Sequence, residues 1–314
     1  MNNSIKMISV VAGCYNEDEN LQEFYDRLVA VFLQLPQYDY EIIIADNCST
    51  DDSQKILHSL AASNKKFKVI FNSNNFGQIR SPFNALLQAS GDCVVAMTTD
   101  LQNPPEMIPQ FVKNWEEGCE VVVAVNQKGH ENVFMSFIRN SYYFLLSHFS
   151  DTDHVIRDFM GFGLYGRKFM DALKLYQNPY PYFRGLVGEI GFRRIEIQFD
   201  QPTRKRGRSK NNFFSLYDVA MTGFVNHSKL PLRLATFTGF CLAGLSLLVA
   251  LMYLVYKLMY WNSFQLGMAP LVIGMFFFSS VQLIFLGIVG EYVGAIYTQV
   301  LRRPLVVEKE RINF

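Results

Sequence analysis

The sequence predicts an α/β protein: a Rossmann-like, mostly parallel sheet with helices on both faces, followed by a C-terminal two-helix transmembrane hairpin. Three observations predict it. Short apolar runs alternate with amphipathic stretches through residues 7–125, the pattern of strands buried on both faces by crossover helices. Polar residues gather at the carboxyl end of each apolar run, where such sheets bind ligands. Residues 234–256 and 268–290 carry no charge, and each is long enough as a helix to span a hydrocarbon core of about 30 Å.

The elements follow in order. Residues 7–12 (MISVVA) form a buried strand and residues 19–35 an amphipathic helix. Residues 41–45 (EIIIA) are a second strand, and Ser49 or Thr50 caps a helix reaching about residue 62. A third strand at 68–71 precedes a helix at 78–89, and a fourth at 93–97 precedes a helix that Pro105 opens and that ends near residue 117. A fifth strand occupies 120–125. Residues 132–149 look helical, 157–165 (RDFMGFGLY) glycine-rich and loop-like, and 167–175 helical; 192–199 (FRRIEIQF) alternates as a half-buried strand does. A helix at 213–227 suits either the bilayer surface or the flank of the soluble domain.

The expected organisation is a catalytic domain over 1–211, a juxtamembrane amphipathic helix over 212–231, two spans within 232–297, and a cytoplasmic tail over 298–314. The N-terminus lacks a signal-peptide pattern. Lys229 and Arg233 precede the first span, Arg302 and Arg303 follow the second, and the connector carries only Lys257. Positive charge on the inside predicts that both termini are cytoplasmic, in a multi-pass membrane protein. A pair of buried core helices is the competing reading of the two runs, and their uncharged length disfavours it.

Composition excludes other classes. A net charge of +1 gives no basic surplus for nucleic acid. The five cysteines are scattered without CxxC spacing, which excludes a disulfide framework or a cysteine zinc site, and the five histidines are equally dispersed.

Four strand ends place polar groups on one rim: Tyr15-Asn16-Glu17, Asp46-Asn47, Asn74-Asn75 and Asp100-Leu101-Gln102. Loop solvation or helix capping explains any one of them; four in register point to a ligand. A basic run, Arg204, Lys205, Arg206, Arg208 and Lys210, stands before the juxtamembrane helix. It suits phosphate oxygens, which Arg can grip bidentately, or anionic lipid headgroups.

At these residues the chain resembles family 2 glycosyltransferases of the GT-A fold, specifically the branch of bactoprenol glucosyltransferases and dolichol-phosphate mannose synthases. The matching pieces run in family order: SVVAGCYNEDENL, EIIIADNCSTDDS, NFGQIRSP, GDCVVAMTTDLQNPPE, DFMGFGLYGRK, YFRGLVGEIGF, RKRGRSK and PLRLATFTGF. Three departures stand out. Gly13 or Ala12 occupies a customary proline position, Asp46-Asn47-Cys48-Ser49 replaces Asp-Asp-Gly-Ser, and Thr98-Thr99-Asp100 replaces Asp-x-Asp.

The resemblance implies transfer of a sugar, with inversion, from a nucleotide-sugar, UDP favoured, to a polyprenyl (undecaprenyl) phosphate. It implies nucleotide-sugar contacts at Tyr15, Glu17, Asp46, Asn75, Arg80, Asp100 and Gln102. A Mg²⁺ or Mn²⁺ ion would sit on Asp100 with Gln102, because such a cation needs only one or two protein ligands when phosphates supply others. Asp158 or Glu189 is the candidate base. Arg204, Arg206, Arg208, Ser209 and Lys210 match the phosphate-binding motif. The resemblance also implies a homo-oligomer, with a tetramer as the expected state. The competing non-enzymatic reading is a membrane-anchored regulatory subunit with an impaired site, motivated by Thr98, Asn47 and Gly163. A processive synthase would need an Arg-Trp pair, which neither Trp115 nor Trp261 completes.

Overall fold

The computed structural model describes residues 5–127, 156, 158–176, 178–202, 230–260 and 268–314. The helices expected at 132–149 and 213–227, and the basic run with Arg204, Arg206, Arg208, Ser209 and Lys210, lie outside the described residues.

The sheet is built from β1 (Met7–Cys14), β2 (Asp39–Asp46), β3 (Phe67–Asn72), β4 (Cys93–Thr98), β5 (Val121–Asn126), β6 (Phe159–Gly166), β7 (Arg194–Phe199) and β8 (Glu308–Ile312), in the order β7-β5-β6-β4-β1-β2-β3-β8. β6 and β8 run antiparallel to their neighbours; the remaining six strands are parallel to one another. The helices are α1 (Asp18–Leu33), α2 (Ser53–Ser63), α3 (Gly77–Gln88), α4 (Ile108–Glu116), α5 (Arg167–Leu173) and α6 (Phe183–Glu189).

Strand periodicity divides the core. Ile8, Val10, Ile42 and Ile44 face one way and pack with Leu21, Phe24 and Leu28 of α1, Leu57 of α2 and Phe111 of α4. Val11, Ile43 and Ile70 face the other way, with Phe83 and Leu86 of α3, Phe169 of α5 and Leu186 of α6. Helices thus cover both faces, as the apolar runs require. Asp18 and Glu19 stand in the first turn of α1, where the helix dipole favours negative charge.

Two glycines record close approaches. A Cβ at Gly13 would meet the Pro82 ring of α3 at 2.7 Å, so the customary proline has no room there. A Cβ at Gly163 would meet the Val122 carbonyl oxygen at 2.4 Å. The segment 157–165 is therefore not the loop its glycines suggest. It is largely strand β6, threaded between β4 and β5, and glycine is the residue that fits the crowded backbone. A side chain at 163 would displace the β5 backbone.

The end of the sheet opposite the rim holds a buried carboxylate. Glu41 is 2% exposed. Its Oε1 accepts from Ser9 Oγ (2.5 Å), Ser90 N (2.8 Å) and Ser90 Oγ (2.9 Å), and Lys68 Nζ stands 2.7 Å from Oε2. Burial opposes the charge, but the Lys68 ammonium and the serine donors outweigh it and hold the carboxyl below its ordinary 4.5. A depressed folded pKa stabilises above the unfolded value and is lost as pH falls through the folded one. Glu41→Ala is expected to cost about 3 kcal/mol at neutral pH. The variant's thermal midpoint should also fall less steeply than the parent's on acidification below 4.5; parallel acid profiles would refute this.

The segment after the apolar helices returns to the sheet. Residues 298–314 read from sequence as a tail; the structure gives residues 308–312 a defined place, as edge strand β8 beside β3. Ser73 N donates to Val307 O (2.9 Å), and Asn313 Nδ2 donates to the carbonyls of Ala61 and Phe67, both at 2.8 Å. Asn84 Nδ2 reaches Glu308 Oε1 at 2.9 Å, and Leu305 packs against the α3 side of the core.

The apolar runs form α7 (Leu230–Met259) and α8 (Met268–Val300), longer than the uncharged stretches alone. Among the described residues, Gly274–Val300 is long and apolar enough to cross a membrane, and α7 carries a shorter apolar stretch, Ala235–Ser246.

Candidate active site

Register assembles the rim. Gly13 of β1 pairs with Thr98 of β4, and Cys14 pairs with Asp46 of β2. The segments that follow these strands therefore emerge at one level. β6 runs the opposite way, and Phe159 pairs with Val125. Asp158 thus enters the same rim, between the ends of β4 and β5, and its carbonyl accepts from Asn126 N at 3.2 Å. Asn16, Cys48, Leu101 and Asp158 all have left-handed φ, between 53° and 63°. Each marks a sharp turn out of or into a strand, and such backbone strain clusters at functional sites.

The turn after β4 presents Asp100. Thr98 Oγ1 lies 2.6 Å from Asp100 Oδ1, and Gln102 N donates to the same oxygen at 3.2 Å. Buried Asn103 accepts from Thr98 N at 2.9 Å. Arg27 of α1 clasps Glu106 through two bonds, 2.8 and 2.6 Å, and holds that carboxyl below its ordinary range. The segment from Thr98 to Glu106 is therefore tied at both ends. Thr98, where the family's first aspartate stands, takes the role of orienting Asp100.

The turns after β1 and β2 interlock. Asn16 N donates to Ser49 Oγ (2.8 Å), Thr50 N to Asn16 Oδ1 (2.7 Å), and Glu17 N to Ser53 Oγ (2.9 Å). Glu17 Oε2 accepts from Asn20 Nδ2 at 2.7 Å. Tyr15 is half-buried beside them. Asp46 is fully buried; its Oδ2 accepts from Ser49 N (3.1 Å) and Gln54 Nε2 (3.0 Å), while Oδ1 is a buried acceptor with no partner. Burial raises the Asp46 pKa against the pull of those hydrogen bonds, and Asp51 adds to the rise. Burial also pushes the adjacent Cys14 thiol up, with the Asp46 and Glu17 charges adding to it, so this cysteine is inert.

The structure thus brings Tyr15, Glu17, Asp46, Asn75, Asp100, Gln102 and Asp158 to one rim. Two residues stand differently. Arg80 turns its guanidinium to the C-terminal segment, where Nη2 donates to Pro304 O at 2.6 Å. Glu189 is exposed at the end of α6, and Phe192, three residues on, packs on Phe169 near the start of β4, away from the rim. The amides that hold the rim turns are Asn47, already visible in the sequence at the end of the second strand, and Gln54, Asn72 and Asn103, which the sequence pattern does not single out.

Asp100 and Gln102 offer hard oxygen donors at a half-exposed position. Among the described residues no group of three or more His, Cys, Asp or Glu could hold a metal by itself. The set therefore fits a Mg²⁺ or Mn²⁺ ion that takes most of its ligands from water and phosphate, and does not fit a closed structural site.

A family model described as glycosyl transferase family 2 matches residues 9–173. YkcC of Bacillus subtilis, an uncharacterized glycosyltransferase, is 33% identical over 300 residues, spanning 95% of this chain and 92% of that protein. The SfII prophage-derived bactoprenol glucosyl transferase of Shigella flexneri is 29% identical over 303 residues, spanning 96% of this chain and 97% of that protein. A structure of glucosyl-3-phosphoglycerate synthase from Mycobacterium tuberculosis, in complex with Mn²⁺, UDP-glucose and phosphoglyceric acid, covers 70% of this chain and 78% of that one at 18% identity, with a TM-score of 0.49. The family model spans more than half of the chain and the YkcC likeness nearly all of it: the chain belongs to glycosyl transferase family 2 and has the GT-A fold.

Proposed function

We propose that this chain transfers a hexose from a nucleotide-sugar, UDP-hexose favoured, to polyprenyl phosphate at the cytoplasmic leaflet of a bacterial plasma membrane, with inversion at the sugar. The observation that carries the reading is the rim, where Asp100, the interlocked turns at residues 15–17 and 46–50, and Asp158 converge at the ends of neighbouring strands. The bactoprenol glucosyl transferases, alike over nearly their whole length, supply the acceptor class.

In this reading a phosphate oxygen of the acceptor bonds to the anomeric carbon, and the bond from that carbon to the nucleoside diphosphate breaks. Asp100 and Gln102 would hold a Mg²⁺ or Mn²⁺ ion, which would supply charge neutralisation for the departing diphosphate. Thr98 and the Gln102 N–H hold the Asp100 carboxylate in orientation. Tyr15 and Glu17 flank the nucleoside, and the unpartnered Asp46 Oδ1 is the acceptor for a base or ribose donor. The acceptor phosphate is already largely ionised, so little base catalysis is needed, and Asp158 is the base that accepts its last proton. Asn126 and Gln201 hold each other through their amides at 3.2 Å, which pins the chain leaving β7 to the rim.

Topology supports anchoring by both helices. β8 shares a sheet with β1–β4, so the chain between them crosses a bilayer an even number of times. A pair of crossings by α7 and α8 would meet that condition and would leave both termini on the side of the catalytic domain.

A donor screen tests the proposal. Purified protein in nanodiscs receives undecaprenyl phosphate, Mn²⁺ or Mg²⁺, and a panel of UDP- and GDP-sugars. Lipid-linked sugar formation that EDTA stops is the expected result. No product from any donor, with folded protein, would overturn it and favour a regulatory subunit.

A further inference from the structure

We infer that Asn47 is a positioning residue for the donor, setting the 74–77 loop through a side chain that must donate and accept at once. The inference rests on the donor-site reading above and concerns a residue that touches no reacting atom.

Asn47 closes β2 and is 6% exposed. Its Oδ1 accepts from Phe76 N at 2.8 Å and from Asn72 Nδ2 at 3.4 Å. Its Nδ2 donates to Asn75 Oδ1 at 2.7 Å and to Gly77 O at 3.2 Å. Two of these partners are backbone groups with fixed roles: the Phe76 N–H can only donate and the Gly77 carbonyl can only accept. Residue 47 must therefore present an acceptor on one branch and a donor on the other. Asparagine does so. An ionised aspartate accepts on both branches and would set a carboxylate against the Gly77 carbonyl and Asn75 Oδ1. Leucine, of similar shape, does neither.

The network extends to both sides. Asn75 Oδ1 also accepts from Gly77 N at 2.9 Å, closing the turn into α3, and Gly77 itself has φ 83°. Asn72 Nδ2 donates to Ser81 Oγ at 2.8 Å, and both residues are buried. Asn74, Asn75 and Gly77 are exposed, so little packing holds the loop. A single amide thus ties the loop after β3 to the β2 end that carries Asp46. On this account the Asn at the second position of Asp-Asn-Cys-Ser is a different way of holding the donor loop, and not the trace of a lost carboxylate.

The test uses full-length protein in nanodiscs with two variants, Asn47→Asp and Asn47→Leu. UDP binding is measured by calorimetry, donor and acceptor KM by turnover, and protection of the 73–80 backbone by hydrogen exchange. Asn47→Asp is expected to raise donor KM and UDP Kd about tenfold or more, with acceptor KM close to the parent. Asn47→Leu should lose protection at Phe76 and Gly77, and Asn47→Asp at Gly77, since its carboxylate still accepts from Phe76 N. Unchanged donor KM and protection in Asn47→Asp would overturn the inference alone. A fall in thermal midpoint with donor and acceptor KM rising together would also overturn it, as that marks a merely structural residue. No UDP binding by the unaltered protein would overturn the donor-site reading, and this inference with it.

Discussion

Asp100→Asn is expected to lower kcat/KM by about a thousandfold while leaving the thermal midpoint nearly unchanged. Asp100 is the one carboxylate in the segment from Thr98 to Gln102. Asparagine keeps an oxygen for Thr98 Oγ1 and the Gln102 N–H, so the turn survives. What disappears is the negative charge toward a divalent cation and, through it, the neutralisation of the leaving diphosphate, an effect of several kcal/mol on the transition state. Thr98→Ala removes the γ-methyl and the hydroxyl, which lies 2.6 Å from Asp100 Oδ1 and 2.8 Å from Asn103 Oδ1. It should raise the Mn²⁺ concentration for half-maximal rate by about 10–100-fold, the usual consequence of losing a group that orients a ligand. Rates measured against Mn²⁺ concentration separate the two. An Asp100→Asn enzyme within about fivefold of the parent would show that the carboxylate is not needed, since removal of one such electrostatic group ordinarily costs a hundredfold or more.

Ending the chain after Pro304 is expected to destabilise the catalytic domain by about 5 kcal/mol or more, taking about 1 kcal/mol for each hydrogen bond lost. A fall of about 10 °C in thermal midpoint should follow. The bonds lost are those of β8 to β3, the Ser73–Val307 contact, the Asn84–Glu308 contact and the two short bonds of Asn313. Truncation also removes Leu305 from the core and leaves β3, with buried Ile70 and Phe71, as an open edge. An open apolar edge strand pairs with other chains, so the shortened protein should aggregate on warming. Asn313→Ala gives a milder version without uncovering the edge. A full-length midpoint in the truncated protein would show that β8 contributes nothing.

Strand and helix positions from residue 7 to 125 were legible because apolar periodicity is local and strong. The rim was legible for the same reason: polar residues follow each apolar run, and a parallel sheet places all such ends at one edge. Asp100, Tyr15, Glu17 and Asp46 could therefore be named before any coordinates. The strand β6 was not legible, because glycines at 161 and 163 weaken the strand pattern while satisfying a crowding that exists only between β4 and β5.

By itself, the sequence determined the α/β alternation, the two uncharged runs and the residue types at four strand ends. These depend on neighbours a few positions apart. The tertiary structure decided that Asp158 joins the rim, that Arg80 grips Pro304, that Asn47 ties one turn to another, and that the last residues complete the sheet. Each depends on partners brought together from distant parts of the chain or across a turn, where strand order, direction and register settle which groups meet.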